Sequence, residues 1–390
     1  MPLKLVLVAF FGLAMVGVTF GMARYGYGLF LPQFVETFSL GKPMQGLIGS
    51  GSYAGYLLAT IFASWFSGHM GPRYPLALGG ICAAVGTALV AMATSPTSLA
   101  MGVVIAGASP GMVFPALSDW VSIQAAPQER NRLFTIMNSG TGAGIILATP
   151  LAWLPADQWR YAWWGFAAFA VSVGTMAVLK APGAAAAKQA HAHHSDTFNI
   201  RMLVAPDTWT LYFVSGVSGL ITAIYWAFSV ELIARSELHV LGIDRPELVF
   251  WMVTGFSGFL GAFAGNAVNN NGHISVLRYT MVAIALSLVL LGLFPSHFAA
   301  IMLSGFIFGA AFIFITGLLG VWSMMIFKVR PSAGFGVTFL FFTTGAMFGP
   351  SISGLLAPII GQQMVFVLAG AAALSLCLTP QRRPVTVLQK

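Results

Sequence analysis

The sequence predicts an all-α integral membrane protein with twelve transmembrane helices in two pseudo-symmetric six-helix bundles. Three observations predict this fold: the composition, the lengths of the apolar segments and a glycine pattern that recurs in the two halves. Of the 390 residues, 58% are hydrophobic and 7% are charged, whereas soluble domains carry about 25% charged residues. The mean hydropathy is +0.85. This composition indicates a chain that crosses a membrane many times.

The apolar segments have the length of membrane-spanning helices, which need about 20 mostly apolar residues. The first segment follows Lys4 as a signal peptide would, but it continues to Leu31, which favours an uncleaved helix. The twelve predicted segments are 5–31, 44–67, 75–94, 97–122, 133–154, 160–180, 208–234, 247–268, 274–294, 298–324, 332–357 and 362–379.

A polar break divides these segments six and six. We expect an N-terminal bundle over 1–180, a cytoplasmic linker over 181–206, and a C-terminal bundle with a short cytoplasmic tail over 207–390. The linker contains His191, His193 and His194. A solvated linker is favoured over a metal site, because nothing nearby would hold such ligands rigidly. We therefore expect no metal and no cofactor.

The Lys and Arg residues lie mostly on one side of the predicted membrane. Cytoplasmic loops carry an excess of these residues. With the N-terminus inside, thirteen of the 18 lie on the inner side, four on the outer side, and Arg24 within segment 1. The inner residues are Lys4, Arg73, Arg130, Arg132, Lys180, Lys188, Arg201, Arg278, Lys328, Arg330, Arg382, Arg383 and Lys390. The outer residues are Lys42, Arg160, Arg235 and Arg245. Both termini are therefore expected in the cytoplasm.

Other function classes find little support. The net charge of +8 follows the loop asymmetry, so no nucleic-acid partner is expected. Cys82 and Cys377 lie in apolar segments, so no disulfide framework is implied. The chain lacks G-x-S-x-G, H-E-x-x-H and Walker motifs. We therefore expect no catalytic residues, and energy from an ion gradient.

Glycine pairs four residues apart recur in the two halves at an offset near 200. Two repeated six-helix halves are a common architecture of secondary transporters, with the solute site between them. Gly140, Gly144, Gly345, Gly349 and Pro350 are predicted to pack helices closely. The matching motifs are Gly107-x-x-x-Gly111 with Gly305-x-x-x-Gly309, Gly140-x-x-x-Gly144 with Gly345-x-x-x-Gly349, and Gly68-His69 with Gly272-His273.

Arg24 is the one Lys or Arg that lies well inside an apolar segment. A charge in the membrane centre costs about 2.5–3.5 kcal/mol on insertion scales, so such a residue faces the protein interior or a wet cavity. It has two interpretations: an anchor for a carboxylate-bearing solute, because guanidinium matches carboxylate geometry, or a fixed gate. Gly21, Gly26 and Gly28 would let a helix or solute approach. Tyr27 shares its helix face.

Further solute-binding candidates lie on polar faces of other segments. Segment 7 carries hydroxyls at a 3-4-3-4 spacing that predicts one wetted helix face, although such hydroxyls often bond their own helix backbone. The solute-binding candidates beyond Arg24 and Tyr27 are Tyr53, Asn138, Thr222 and Tyr225.

Three charged residues are candidates for gating or coupling. Glu231 follows Ser229 by two residues, about 200° round the helix, so it points away from the polar face of segment 7. It is a candidate proton carrier or partner of Arg24. Asp119 and Arg73 lie near the cytoplasmic side, where an inner charge network is favoured over proton transport.

Segment 1 carries the pattern G-x-x-R-[F/Y]-x-Y-x-x-x-L-P. Further along stand the runs 127–132, PQERNR, 138–142, NSGTG, and 159–163, WRYAW. With its twelve segments and inside termini, the chain resembles the major facilitator superfamily, and within it the YbfB/YjiJ-like branch. Two departures exist. The loop 68–75, GHMGPRYP, lacks the acid usual there, and Gly144 is followed by Ile145 where an antiporter signature has proline.

The resemblance implies a secondary active transporter of the bacterial inner membrane that works by alternating access. We expect it to move a small organic solute, anionic or amphipathic, and to act as a monomer in the lipid bilayer. Proton coupling is what the resemblance alone implies. The alternatives are a multidrug-type efflux antiporter, which the departures disfavour, a ligand-binding receptor or scaffold on a transporter fold, and a membrane-embedded enzyme.

Overall fold

The computed structural model describes residues 3–185, 206–236, 238, 240, 242–327 and 331–380. Within these residues the secondary structure is helical, apart from one isolated bridge between Val240 and Ile243. The predicted all-α architecture is therefore confirmed. Most of the predicted linker, residues 186–205, lies outside the described residues.

Six helices in the N-terminal half correspond to the first six predicted segments. They are α1 (Leu3–Val16, the π-helix Gly17–Arg24, Gly26–Leu29 and Leu31–Phe38), α2 (Lys42–Met70), α3 (Arg73–Ala91), α4 (Pro96–Gln124), α5 (Pro127–Asn138 and Gly140–Ala152) and α6 (Trp159–Lys180).

Six helices in the C-terminal half correspond to the other six. They are α7 (Pro206–Ala234), α8 (Pro246–Ser257, the 3-10 helix Gly258–Phe263 and Ala264–Asn271), α9 (His273–Leu293), α10 (Phe298–Ile326), α11 (Pro331–Ile360) and α12 (Gln362–Ser375 with the 3-10 turn Leu376–Leu378).

Nine spans in the described part of the chain are long and apolar enough to cross a membrane, judged by length and composition. The other three predicted segments are α5, α8 and α12. The helix of α5 is interrupted at Ser139, and α8 changes to a 3-10 helix at Gly258–Phe263. The α-helical part of α12 is 14 residues long. Irregular backbone at membrane depth is tolerated where neighbouring helices bury it.

The first helix is broken into four pieces, whereas the sequence predicts one continuous span over 5–31. Its π-helical part runs over Gly17–Arg24, and the N–H of Tyr25 donates to the carbonyl of Phe20 at 2.9 Å. Pro32 then stands in the first turn of the last helical piece, where its missing N–H costs nothing. π-Turns widen a helix locally and occur frequently at functional sites. This one ends on Arg24.

Glycine pairs bring α1 against α5 and α7 against α11. A Cβ at Gly140 or Gly144 would collide with the carbonyls of Leu13 and Gly17. The equivalent residues on α11, Gly345 and Gly349, lie on the carbonyls of Gly216 and Leu220. The two halves therefore use the same backbone-to-backbone contact, as the recurring glycine pattern leads us to expect.

Replacing Gly144 by alanine is expected to lower the melting temperature of the purified protein in detergent. The added methyl overlaps the Gly17 carbonyl, and overpacking of this kind costs about 1–3 kcal/mol. The matched control is Gly336→Ala on α11, where a Cβ meets nothing within 4 Å. Alanine favours a helix by up to about 1 kcal/mol over glycine, so the control should melt at the same or a higher temperature. Equal melting of both variants would show that the contact does not constrain the fold.

The two halves meet along α2 with α11, α5 with α8, and α1 with α7. Gly46 lies on the backbone carbonyl of Pro350, and Gly354 lies on that of Lys42. Between α5 and α8, a Cβ at Gly142 would lie 2.5 Å from the carbonyl oxygen of Gly255. These contacts leave little space between the halves. We call the end of the bundle that contains Lys42 the Lys42 end, and the opposite end, which contains Arg130, the Arg130 end.

Candidate functional site

Arg24 lies in the seam between the halves, at the end of the π-helix of α1. The residue is 7% exposed. Its guanidinium carbon lies 4.2 Å from the centre of the Tyr53 ring and 4.3 Å from that of Tyr56, both on α2. A cation over an aromatic face gains about 0.5–2 kcal/mol. None of the ion pairs formed among the described residues includes Arg24, and its Nε has no hydrogen-bond partner among them.

A cavity of about 20 Å³ lies beside Arg24. Residues of α1, α2 and α7 line it, including Tyr27, Tyr53 and Trp226. We call this the central cavity. It is bounded by both halves, since α1 and α2 belong to the N-terminal half and α7 to the C-terminal half.

An aromatic stack joins the halves at the central cavity. The ring of Tyr25 on α1 lies 4.3 Å from that of Trp226 on α7, with 22° between their planes. Close backbone approach allows this contact, because a side chain at Gly28 would collide with the Trp226 carbonyl. The space beside Gly21 is likewise occupied by the backbone of α5 at Gly144. The glycines around Arg24 therefore admit neighbouring helices.

Tyr27 is anchored next to the central cavity. Its hydroxyl donates to the backbone carbonyl of Gln45 at 2.7 Å. Gln45 in turn donates from Nε2 to the carbonyl of Leu40 at 2.7 Å. These bonds fix the start of α2 against α1, so Tyr27 presents its ring to the cavity while its hydroxyl is already bonded.

A buried ion pair closes the seam at the Lys42 end. Nζ of Lys42 on α2 lies 2.5 Å from Oε2 of Glu231 on α7. Glu231 is 1% exposed and also pairs with Arg235, one turn further along its own helix. Lys42 belongs to one half and Glu231 to the other. The pair therefore joins the halves. Among the described residues, the partners of Glu231 are Lys42 and Arg235, and not Arg24.

Arg245 adds further polar contacts between the halves at the same end. Its Nη1 donates to the carbonyl of Ala152, the last residue of α5, at 2.5 Å. Its Nε pairs with Glu247 at 3.0 Å. Its Nη2 donates to the amide oxygen of Gln33 at 2.7 Å, in the amide orientation that gives both the oxygen and the nitrogen of Gln33 a partner. We call these contacts, together with the Lys42–Glu231 pair, the latch.

At the Arg130 end, aromatic side chains of the two halves are in contact. The ring of Phe335 on α11 lies 6.3 Å from that of Phe114 on α4 and 6.1 Å from that of Phe134 on α5. Such ring contacts contribute about 0.5–1.5 kcal/mol each. In the described residues, these rings join the halves at the Arg130 end, and the latch joins them at the Lys42 end.

Three of the predicted solute-binding residues come together, and three do not. Arg24, Tyr27 and Tyr53 line the central cavity. Thr222 donates to its own helix, to the carbonyl of Ser218 at 2.7 Å. Tyr225 is fully buried in the C-terminal half, with its hydroxyl 2.7 Å from that of Ser304.

The polar face of α7 therefore packs inside the C-terminal half. The spacing of its hydroxyls predicts instead a face that is in contact with water. Its Ser218 lies 4.0 Å from the sulfur of Met281 on α9. The residues of this face are each at most 1% exposed: Ser215, Ser218, Thr222, Tyr225 and Ser229. Periodicity identifies one face of a helix but not what that face meets. Trp226, which follows Tyr225 in the sequence, lines the central cavity, whereas the sequence predicts Tyr225 there.

Asn138 lies well away from Arg24. It ends the first part of α5, just before Gly140, which packs on Leu13 of α1. Leu13 stands eleven residues before Arg24 along α1. Asn138 is therefore displaced toward the Arg130 end.

The basic residues at the Arg130 end hold helix termini. Arg73 donates from Nε and Nη2 to the carbonyl of Ala181 at 3.0 and 2.7 Å. Arg130 donates in the same way to Ser122 and Ala125, at the end of α4. Cations at helix C-termini satisfy the last carbonyls and oppose the helix dipole. Asp119 lies half-buried on α4, one turn before these carbonyls.

The comparisons with known proteins agree on one superfamily. A family profile described as "Uncharacterised MFS-type transporter YbfB" matches residues 15–381. The chain is 27% identical over 388 residues to monocarboxylate transporter 13 of Rattus norvegicus, covering 95% of this chain and 86% of that protein. It is 26% identical over 149 residues to the arabinose-proton symporter of Escherichia coli K12, covering 38% of this chain and 32% of that one.

Two solved structures share the fold. A variant of the nucleoside transporter NupG has a TM-score of 0.77 at 12% identity, covering 95% of this chain and 98% of that one. A bacterial homologue of the lysosomal transporter Spinster, solved inward-facing and unoccupied, has a TM-score of 0.69 at 15% identity, covering 97% and 95%. These likenesses show the arrangement of the helices.

Proposed function

The chain belongs to the major facilitator superfamily, in the family of the uncharacterised MFS-type transporter YbfB, and on that premise we propose that it is a secondary active transporter of a small organic anion. It works by alternating access, with the two halves rocking about the central cavity. The transporter acts as a monomer, without cofactor or metal.

The environment of Arg24 carries this proposal. A guanidinium 7% exposed, with no ion pair among the described residues and an unpartnered Nε, is expensive to keep inside a membrane protein. A structural arginine would be expected to bind an acid or helix-end carbonyls, as Arg73 does with Ala181. Arg24 instead stands on the seam between halves, where an anionic solute would neutralise it. The name of the rat relative, a monocarboxylate transporter, supports an anion.

Glu231 is the residue we assign to proton coupling. It is buried, and it holds Lys42 across the seam. Protonation would remove the charge that attracts Lys42, so the latch would weaken and the Lys42 end would open. The name of the arabinose-proton symporter supports a proton-linked mechanism. Asp119 and Arg73 are assigned to gating at the other end, because both lie near the Arg130 end.

Counterflow in sealed proteoliposomes tests the proposed function. Vesicles loaded with one of a panel of unlabelled carboxylates should take up the same labelled carboxylate faster than vesicles without protein. A receptor or scaffold binds a solute without exchanging it. In the same vesicles, an imposed pH gradient should drive accumulation by the wild type but not by Glu231→Gln. Absence of exchange for every solute in the panel would reject a transporter of organic anions.

The proposed orientation puts both termini in the cytoplasm of a bacterial inner membrane. Exposed alanines mark the two ends: Ala156 at the Lys42 end, and Ala126 at the Arg130 end. With Cys82 and Cys377 replaced by serine, Ala156→Cys should react with a membrane-impermeant maleimide in intact spheroplasts. Ala126→Cys should react only after the membrane is permeabilised. The reverse pattern would invert the protein in the membrane.

A further inference from the structure

Three buried hydrogen-bond donors without partners belong to residues that line the central cavity. They are Nε of Arg24, Oγ of Ser52 and Nε1 of Trp226. Each of these residues is at most 7% exposed. A buried polar atom without a partner costs about 1–3 kcal/mol, and such atoms are rare enough in folded proteins that each calls for an explanation. The three donors are among the eleven such atoms in the described residues. Their residues line one cavity, which points to a shared ligand.

The chemistry of the three groups selects an acceptor. Arginine and tryptophan N–H groups donate and have no acceptor, while a serine hydroxyl can donate as well as accept. An ionised carboxylate accepts hydrogen bonds and donates none. Neutral amides or alcohols would bring donors of their own, which Arg24 and Trp226 cannot satisfy. The arrangement therefore favours a carboxylate.

The charge of the lining favours one negative charge. Arg24 is the one cationic residue among those that line the cavity, and no Asp or Glu is among them. Lys42, the nearest further cation on α2, is bound to Glu231. A second carboxylate on the solute would therefore be buried without a partner, which is strongly unfavourable.

The volume of the cavity holds one oxygen atom of such a solute. At about 20 Å³, it accommodates one water-sized group, which is the size of a carboxylate oxygen. The Nε of Arg24 has no hydrogen-bond partner among the described residues and remains for the ligand. The remainder of the solute enters as the halves part, which links binding to the rocking motion.

We propose that the central cavity binds a monocarboxylate through Arg24 and Ser52 of the N-terminal half and Trp226 of the C-terminal half. This rests on the proposed function and names its substrate class. Oγ of Ser52 lies against Gly107 on α4, so binding through Ser52 requires its side chain to change rotamer. Because Trp226 and Arg24 lie on opposite halves, one carboxylate between them draws the halves together.

Trp226→Phe tests the donor on the C-terminal half. Phenylalanine keeps a ring stacked on Tyr25 but has no N–H. The matched control is Trp251→Phe, because Trp251 is also buried, also has an unpartnered Nε1, and packs 5.3 Å from Trp226, yet it does not line the cavity. Ser52→Ala tests the second donor.

Binding to the purified protein is measured by calorimetry for propionate, benzoate, their amides and malonate, with sodium chloride as a test for an inorganic anion. We expect the monocarboxylates to bind at least tenfold more tightly than the amides, malonate or chloride. Trp226→Phe and Ser52→Ala should each weaken monocarboxylate binding about tenfold, and Trp251→Phe should not.

The inference is overturned if Trp226→Phe and Trp251→Phe bind equally, or if malonate, an amide or chloride binds as tightly as the monocarboxylates. It is also overturned if neither monocarboxylate binds while counterflow finds another solute exchanged, a result that leaves transport itself standing. Failure of exchange for every solute would instead remove the proposed function.

Discussion

Arg24→Ala is expected to weaken binding of an anionic solute by about ten- to a hundredfold and to leave binding of its neutral amide nearly unchanged. A hydrogen bond to a charged group contributes about 1.5–3 kcal/mol, which corresponds to that range. Arg24→Lys keeps the charge but loses the planar fork of donors, so it should restore part of the affinity. The measurement is calorimetric titration of each variant with benzoate and with benzamide.

Arg160→Ala is the control for loss of a cation elsewhere. Arg160 also stacks on an aromatic ring, 4.4 Å from that of Trp159, and donates to the carbonyl of Ala93, but it does not line the central cavity. Its replacement should not change either affinity. If Arg24→Ala weakens both ligands equally, Arg24 holds the fold or a gate. If it weakens neither, Arg24 does not touch the solute.

Lys42→Gln is expected to open the Lys42 end. It removes the ion pair that joins α2 to α7. Breaking a buried pair costs about 3–5 kcal/mol when the other charge is left alone. Glu231 keeps Arg235, so a shift of about 1–3 kcal/mol is expected, which is roughly 5- to 150-fold in the ratio of closed to open protein. Spin labels at Met44 on α2 and Gln363 on α12, both exposed, report the separation of the halves.

Arg235→Gln is the matched control for Lys42→Gln. It also removes a cation bound to Glu231, but that cation lies on the same helix, one turn away. A longer distance between the labels is therefore expected for Lys42→Gln and not for Arg235→Gln. The same distance distribution in both variants would mean that the ion pair does not hold the end closed.

Much of the fold was predictable from the sequence because its causes are local. Twenty or so apolar residues must form a helix to satisfy their backbone in a membrane. The twelve segments therefore match twelve helices. What composition could not indicate is the π-helix over Gly17–Arg24, whose Gly17 and Gly21 pack on the backbone of α5.

The site was predictable only in part, because it depends on contacts distant in sequence. Arg24 stands out as an isolated cation in an apolar segment, and it lies at the seam. Trp226 does not stand out, since aromatic residues in apolar helices mostly pack. Its neighbour Tyr225 belongs to the polar face of α7, which meets α9 and α10 instead of the cavity.

The partner of Glu231 shows the same limit. Sequence spacing indicates that Glu231 points away from the polar face of α7, and it does face the N-terminal half. Its partner Lys42 stands 189 residues earlier in the chain. A pairing at that separation follows from how the halves meet, which no local pattern encodes.

Alternating access at the central cavity is tested most directly by a cysteine at Ala227, which lines the cavity and is 5% exposed. With Cys82 and Cys377 replaced by serine, its reaction with an impermeant maleimide is measured in right-side-out and in inverted membrane vesicles. A transporter opens the cavity to each side in turn, so labelling is expected in both preparations, and benzoate should slow it in both. Labelling in neither preparation, or from one side only with no effect of benzoate, would contradict a solute path past Arg24.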